Sequence, residues 1–369
     1  LFVVPKFMVK ADGTLGERND VHCVSIEHKM GIKASPTAVL QYGDHGGAVG
    51  YLVGQENRGL EYMFIMMNAA RYAVGVQGIA IAERAYQKAV AYARDRVQSR
   101  PVDGSMNTAA PIIHHPDVKR MLMTMRASTE GCRAMAAVAA AAYDASHHHP
   151  DAEARKENAT FYEFLVPLVK GYSTEMSLEV TSLGVQVHGG MGFIEETGAA
   201  QYYRDAKILT IYEGTTAIQA NDLVGRKTAR DGGTTAKAIA QRIEETEQQL
   251  AAGSAQAKAV GKRLTAARQA FVDVVDFIAA NTKGNPNAAF AGSVPYLMLA
   301  GNLMAGWQMA RALLVAEDLS KKGQDTAFMQ AKITTARFYA DHILSRAPGV
   351  RDAIVEGAEA VTALSADAF

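Results

Sequence analysis

Cysteine is scarce. Two residues, Cys23 and Cys132, cannot build a disulfide framework, and neither stands in a metal-ligand spacing. A reducing compartment follows as the default, and the cytoplasm is the expected location. Excess charge is missing as well: 38 Lys and Arg meet 38 Asp and Glu, for a formal net charge of zero. That argues against a nucleic-acid binder, which carries a basic surplus to meet phosphates. No run approaches the ~18 to 20 consecutive apolar residues that a bilayer crossing needs, and no charged-then-apolar leader opens the chain. A Gly-x-Ser-x-Gly elbow and a Walker loop are both absent. His114-His115-Pro116 and His147-His148-His149-Pro150 fall at helix boundaries, and consecutive histidines do not share a helix face. No metal site is expected. An initiator Met is missing too. Leu1-Phe2-Val3-Val4-Pro5 opens inside a β-like run, so the chain is expected to be the back portion of a longer protein.

What is present is an ordinary globular composition, 49% apolar and 21% charged over 369 residues. At about 150 residues per domain this length accommodates roughly two to three domains. Residues 1 to 54 predict short strands over Leu1–Val9, Val21–Ile26, Thr37–Tyr42 and Ala48–Val53. Asp12-Gly13, Arg18-Asn19-Asp20 and Gly43-Asp44-His45-Gly46-Gly47 separate them as turns. That is too few strands to close a barrel or sandwich. From Gly59 the period changes. Met63, Met66, Met67, Ala70 and Val74 stand at helical spacing, and Leu60–Gln98 runs without proline. A second long helix is predicted from Pro116 to about His147, and a third from Pro150 to about Val187 with a kink near Pro167 and Gly171. Another follows from about Thr215 to Arg230. Long helices of this kind bury a shared apolar stripe, so a four-helix bundle is the natural architecture. Asp231-Gly232-Gly233-Thr234-Thr235 reads as a boundary. Beyond it lies a further all-α stretch with breaks at Gly284–Asn287, Lys322–Gln324 and Ala347-Pro348-Gly349. The expected domains are therefore 1–54, 55–230 and 235–369.

Chemistry concentrates in Tyr202-Tyr203-Arg204-Asp205-Ala206-Lys207 and Tyr212-Glu213-Gly214-Thr215. A carboxylate between an aromatic ring and a glycine, at the mouth of a helix, can be set on a turn and partly desolvated. Such an environment suits a general base that removes a weakly acidic C–H proton. The plainer alternative is an acid favoured by a helix N-terminus. Gln186-Val187-His188-Gly189-Gly190-Met191-Gly192 offers close backbone approach and free N–H groups for a phosphate or cofactor edge. It follows a helix rather than a strand, so it is not a dinucleotide fingerprint, and a helix C-cap with a turn remains the commoner explanation. Arg71 lies in an apolar helical run and needs a partner, either a structural carboxylate or an anionic ligand. Arg96-Val97-Gln98-Ser99-Arg100 ends the same helix, where surface charge is the ordinary reading.

Taken in order, these segments resemble the C-terminal part of an acyl-CoA dehydrogenase. The resemblance rests on Met30-Gly31-Ile32-Lys33-Ala34-Ser35-Pro36-Thr37, Gly54-Gln55-Glu56-Asn57-Arg58-Gly59-Leu60, the Arg-x-Gln turn, the Gln-x-x-Gly-Gly loop and Tyr-Arg-Asp-Ala-Lys…Tyr-Glu-Gly-Thr. It covers roughly residues 1 to 230. The helical unit from about 235 resembles the long subgroup with a C-terminal extension, which includes 3-methylmercaptopropionyl-CoA dehydrogenases. The resemblance implies a mainly α fold: a four-helix bundle preceded by the remainder of a β-domain and followed by an additional all-α unit. It implies FAD as cofactor and oxidation of an acyl-CoA thioester to the 2,3-enoyl-CoA, with Glu213 as the base. Arg96, Gln98, Gln186, Gly189 and Gly190 would meet the FAD of a neighbouring subunit, and Thr215 would lie beside the flavin. Asn68, Arg71, Tyr212 and Gly214 would stand on the substrate side. A shared flavin implies a homodimer or homotetramer, with an electron-transfer flavoprotein as acceptor. Three positions depart from the family pattern: Ser99-Arg100 replaces a Phe-Gly pair, Ala217 a polar flavin contact, and Asn68 a frequent acid. A non-catalytic helical assembly module and an acyl-CoA oxidase are the alternative readings.

Overall fold

Six short strands open the chain: β1 (Phe2–Val3), β2 (Phe7–Val9), β3 (Leu15–Arg18), β4 (Val21–Ile26), β5 (Ala38–Tyr42) and β6 (Tyr51–Leu52). The computed structural model describes residues 1–369. The strands pair only as three antiparallel ribbons, β1 with β6, β2 with β3 and β4 with β5. Pro5, which lacks an N–H for a ladder, separates β1 from β2 in the run expected as one strand. β3 was not anticipated at all. Its Leu15-Gly16-Glu17-Arg18 sequence has little strand propensity and is held by its pairing with β2. One buried side chain ties the ribbons' ends together. Asn19 donates to the carbonyls of Pro5 and Val49 at 2.9 and 2.8 Å and accepts from the Val49 N–H.

The helices are α1 (Gly59–Asp95), α2 (Pro116–His148), α3 (Ala152–Pro167), α4 (Ser173–His188), α5 (Ala199–Lys207), α6 (Thr216–Asp222), α7 (Thr234–Ala251), α8 (Ala255–Asn281), α9 (Pro286–Ala291), α10 (Ser293–Lys321), α11 (Thr326–His342), α12 (Ala347–Val355) and α13 (Ala358–Val361). The mainly α class stands. Two compact units divide the chain at residue 70, within α1: Leu1–Ala70 and Arg71–Phe369. No division falls at the Gly232-Gly233 turn, although both glycines take left-handed φ.

The reason is packing. α10 and α11 lie against α2, and the buried core runs without a gap from Ile79 in α1 to Ile354 in α12. Close approach requires small residues at the seams. A Cβ on Gly301 of α10 would fall 2.2 Å from Tyr172, and one on Gly131 of α2 would fall 2.9 Å from Tyr339. Tyr172 Oη then donates to Asn302 Oδ1 at 2.7 Å and meets Tyr339 Oη at 3.1 Å. The extension is thus bolted to the bundle.

The kink expected near Pro167 and Gly171 is a π-helical turn, Leu168–Tyr172, between α3 and α4. The helix expected over Thr215–Arg230 is α6 followed by a second π-helical turn, Leu223–Thr228, and a short 3₁₀ turn. Ala347-Pro348-Gly349 is the first turn of α12 rather than a break, because proline at the start of a helix forfeits no hydrogen bond. By length and composition alone α1 is apolar enough to cross a bilayer, with a window of 18 residues averaging 1.2 in hydropathy and 28% buried. Counting unbroken apolar runs overlooks a helix of Ala, Gly, Met and Val with few polar interruptions. Within the second unit α1 is a packed helix, where a Cβ on Gly75 would meet the Val169 carbonyl at 2.3 Å.

Candidate active site

The second unit carries a turn that reverses the chain between α5 and α6. Glu213 has φ +55° and Gly214 φ +88°. Left-handed backbone is natural for glycine, but for glutamate it costs about 1 kcal/mol or more and persists only where the surroundings impose it. The surroundings do so from below. Lys170, wholly buried in the π-helical turn, donates from Nζ to the Gly214 carbonyl at 2.6 Å. Gln219 Nε2 reaches the carbonyls of Glu213 and Gly214 at 3.4 Å each. Tyr212 Oη donates to Gln77 Oε1 of α1 at 2.6 Å. Thr215 caps α6, accepting the Ile218 N–H on its hydroxyl, and the Thr216 hydroxyl donates to Glu175. Each residue of Tyr212–Thr216 is therefore held by a hydrogen bond through its backbone or side chain, while the Glu213 side chain itself is exposed. The desolvation expected around Glu213 is not supplied by this chain's own residues.

Beneath the turn lies a polar layer. Arg71 is 8% exposed and pairs with Asp222 Oδ2 at 3.6 Å, so the partner that its burial demanded is a structural carboxylate. Asp222 also takes Arg226 Nε, and Arg71 Nε and Gln219 Oε1 are left without partners. Burial pushes the Lys170 ammonium down to about 8; Glu175 and Glu213 oppose that push and Arg71 adds to it. Asn68 belongs to the first unit.

A separate cleft of about 710 Å³ collects residues from two distant segments. Arg96, Gln98 and Arg100 line one side, and Gln186, Gly189 and Gly190 the other. The first segment is a hairpin-like return. Gln98 N–H donates to Ala110 O and Ala110 N–H to Ser99 O, both at 3.0 Å, and Ser99 sits at φ +60°. His115 Nε2 donates to the Gln98 carbonyl at 2.8 Å. The second segment is the end of α4, where Gly189 is the cap at φ +59°. His188, buried beside it, stacks on Tyr92 with ring centroids 4.3 Å apart, and burial lowers its basicity. Nothing lies within 4 Å of where a Cβ on Gly189 or Gly190 would stand, and neither Arg96 nor Arg100 has an ion-pair partner in the chain. Two free guanidiniums, two carboxamides and a bare glycine backbone suit a flat anionic group such as a nucleotide cofactor.

The five residues expected to meet one cofactor, Arg96, Gln98, Gln186, Gly189 and Gly190, line the same cleft, whereas Lys170, Gln77, Gln219 and Asp222 were not expected. Lys170 carried the same signal as Arg71, a charge inside an apolar run. Asp222 carried none, since its partner stands 151 positions earlier in the chain.

A helical bundle with a buttressed Glu-Gly turn and a glycine-lined cleft between chain segments is the C-terminal architecture of one class of enzyme. Residues 57–227 match the family model for the acyl-CoA dehydrogenase C-terminal domain, and residues 236–365 match an acetyl-CoA dehydrogenase C-terminal-like model. The chain belongs to the acyl-CoA dehydrogenase family. It is 59% identical over 344 residues to the 3-methylmercaptopropionyl-CoA dehydrogenase of Ruegeria pomeroyi, across 93% of this chain and 58% of that protein. It is 37% identical to the broad-specificity linear acyl-CoA dehydrogenase FadE5 of Mycobacterium tuberculosis, across 96% of this chain and 60% of that protein. A crystal structure of an acyl-CoA dehydrogenase complexed with FAD from Bacillus anthracis shares the fold, with a TM-score of 0.72 at 22% identity over 95% of this chain and 58% of that one. The chain spans a little under two thirds of the length of these relatives.

Proposed function

We propose that this chain is the C-terminal part of an FAD-dependent acyl-CoA dehydrogenase that converts an acyl-CoA thioester to the 2,3-enoyl-CoA. The observation that carries the reading is the left-handed Glu213-Gly214 turn, buttressed from beneath by Lys170 and Gln219. A rigid backbone with a free carboxylate is what proton abstraction from a bound substrate needs: the base is placed, yet its side chain can reach. Glu213 takes the α-proton on its carboxylate while the β-hydrogen leaves with its electron pair. FAD, when bound, supplies the acceptor for that pair. Arg96 and Gln98 on one side, and Gln186, Gly189 and Gly190 on the other, would hold the cofactor, and Thr215 would lie beside its flavin. Tyr212 and Gly214 border the acyl group. Asn68 and Arg71 are assigned to the substrate side by resemblance, with Arg71 held by its ion pair to Asp222.

We assign residues 1–54 to the end of a β-domain, 55–230 to the catalytic bundle and 235–369 to the extension that covers it. A flavin met by residues of a second subunit makes the enzyme a homodimer or homotetramer, with an electron-transfer flavoprotein as acceptor. We place it in the cytoplasm, in keeping with two free thiols, one of which, Cys132, burial pushes up to about 12.

The test is Glu213→Gln in a protein of the relatives' full length. Flavin absorbance should be retained while turnover falls by at least about 100-fold, the loss expected for an essential base. Near-normal turnover with flavin bound would sink the assignment.

A further inference from the structure

The first unit holds a cluster that the proposed reaction does not use. Asp20 and His22 stand at the start of β4, and His45 lies in the loop that returns from β5. Pairing of β4 with β5, Val21 opposite Tyr42 and His22 opposite Gln41, brings the loop back over them. Asp20 Oδ1 then lies 3.4 Å from His22 Nε2 and 3.4 Å from His45 Nδ1. All three ligand atoms fall within 4.8 Å of one another.

These separations are informative. Around zinc, with bonds of about 2.0–2.1 Å, two ligands at tetrahedral positions stand about 3.3–3.4 Å apart. Octahedral neighbours at the same bond lengths stand only about 3.0 Å apart. Both carboxylate–imidazole edges have the tetrahedral length. The His45 side chain, 76% exposed, has room to adjust around a bound ion.

The carboxylate is also held in place. Asp20 Oδ2 accepts the backbone N–H groups of His45 at 2.6 Å and Gly47 at 3.2 Å, which leaves Oδ1 directed at both rings. Asn19, buried next to Asp20, anchors the far end of the loop at Val49. A ligand oriented by such outer contacts is the ordinary construction of a metal site.

We propose that Asp20, His22 and His45 form a three-ligand site for a divalent first-row cation of the zinc type, which clips the 43–47 loop to β4 and leaves one coordination position open. Imidazole nitrogen with a single carboxylate suits zinc, and three protein ligands with an open position is a standard zinc arrangement. The sequence concealed the site, because His45 stands 23 residues from His22 in a segment that reads only as a turn.

The test uses the full chain with His147→Ala, His148→Ala and His149→Ala, which removes a tract able to bind metal adventitiously. Zinc titration by calorimetry should give one ion per chain. His22→Ala or His45→Ala should each weaken binding by at least about 100-fold, beyond the loss seen when only an outer-shell partner is removed. Circular dichroism should show each variant folded, since the exposed His45 ring meets the His22 ring only edge-on at 5.5 Å. Cobalt in the same site should show the intense visible bands of tetrahedral coordination. Zinc uptake unchanged in His45→Ala, no uptake in the parent, or a weak octahedral cobalt spectrum would each overturn the proposal.

Discussion

Lys170→Met tests the idea that the Glu213 turn rests on a buried ammonium. Methionine preserves the apolar stem and removes the charge and the donor. The charged lysine is costly where it sits: burial pushes its pKa from 10.5 to about 8, a difference worth roughly 3 kcal/mol at 1.36 kcal/mol per unit. Its bond to the Gly214 carbonyl returns about 1.5–3 kcal/mol, as a hydrogen bond from a charged donor. The two nearly offset, so at neutral pH the variant should unfold within about 1 kcal/mol of the parent by urea titration. The difference appears in alkali. Between pH 8 and 10.5 the unfolded chain binds this proton and the folded one does not, so stability rises with pH across that window. Below pH 8 the burial cost is present in full. The neutral amine still donates to Gly214, and the parent should therefore gain about 3 kcal/mol on Lys170→Met as pH rises through the window. All other titrating groups are common to the two proteins and cancel in the comparison. Parallel stability curves from pH 8 to 10.5 would refute the assignment of a charged, desolvated Lys170.

Two glycine variants separate packing from ligand space. Gly301→Ala drives a Cβ to 2.2 Å from the Tyr172 ring and should cost about 1–3 kcal/mol or more in denaturant unfolding, as overpacking does. Gly190→Ala meets nothing within 4 Å and should leave stability unchanged, yet it fills the cleft and should reduce flavin retained on gel filtration of the full-length enzyme. Asp222→Ala strips the partner from buried Arg71 and should destabilise by about 3–5 kcal/mol, measured by thermal or urea unfolding. A loss under about 1 kcal/mol would mean that Arg71 is solvated some other way.

The sequence made the long helices legible because their signals are local. Pro116 marks the start of α2, and the 3.6-residue repeat of small and apolar residues defines α1. The Gly189-Gly190 cap and the Glu213-Gly214 turn were legible for the same reason, since glycine announces positive φ at its own position. What was not legible depends on pairs. Lys170 meets Gly214 44 residues on, Tyr212 meets Gln77 135 residues back, and Tyr172 meets Asn302 130 residues on. No spacing rule connects such positions. The π-helical turn Leu168–Tyr172 was legible only as a kink near Pro167 and Gly171, because its extra residue per turn is imposed by neighbours. Gly171 faces Leu297 at 2.6 Å from its would-be Cβ, and Tyr172 packs into Gly301.

That π-helical turn links fold to site. It presents Lys170 to the Gly214 carbonyl on one side and Tyr172 to the Asn302 and Tyr339 polar groups on another. An uninterrupted α-helix advances 100° per residue, and two side chains two positions apart would then stand about 200° apart around the axis. Widening the turn changes that angle and lets consecutive segments of one helix serve both the bundle's interior and the extension packed against it. One route from the extension to the candidate base runs through Tyr172: α10 holds Tyr172 in place, and Tyr172 belongs to the turn from which Lys170 reaches Gly214. A substitution in α10 such as Gly301→Ala should therefore impair turnover in the full-length enzyme beyond its effect on folding, although α10 contributes no residue to the Glu213 turn. If turnover per folded molecule is unchanged in that variant, the extension is cover alone and the π-helical turn does not transmit its position to the base.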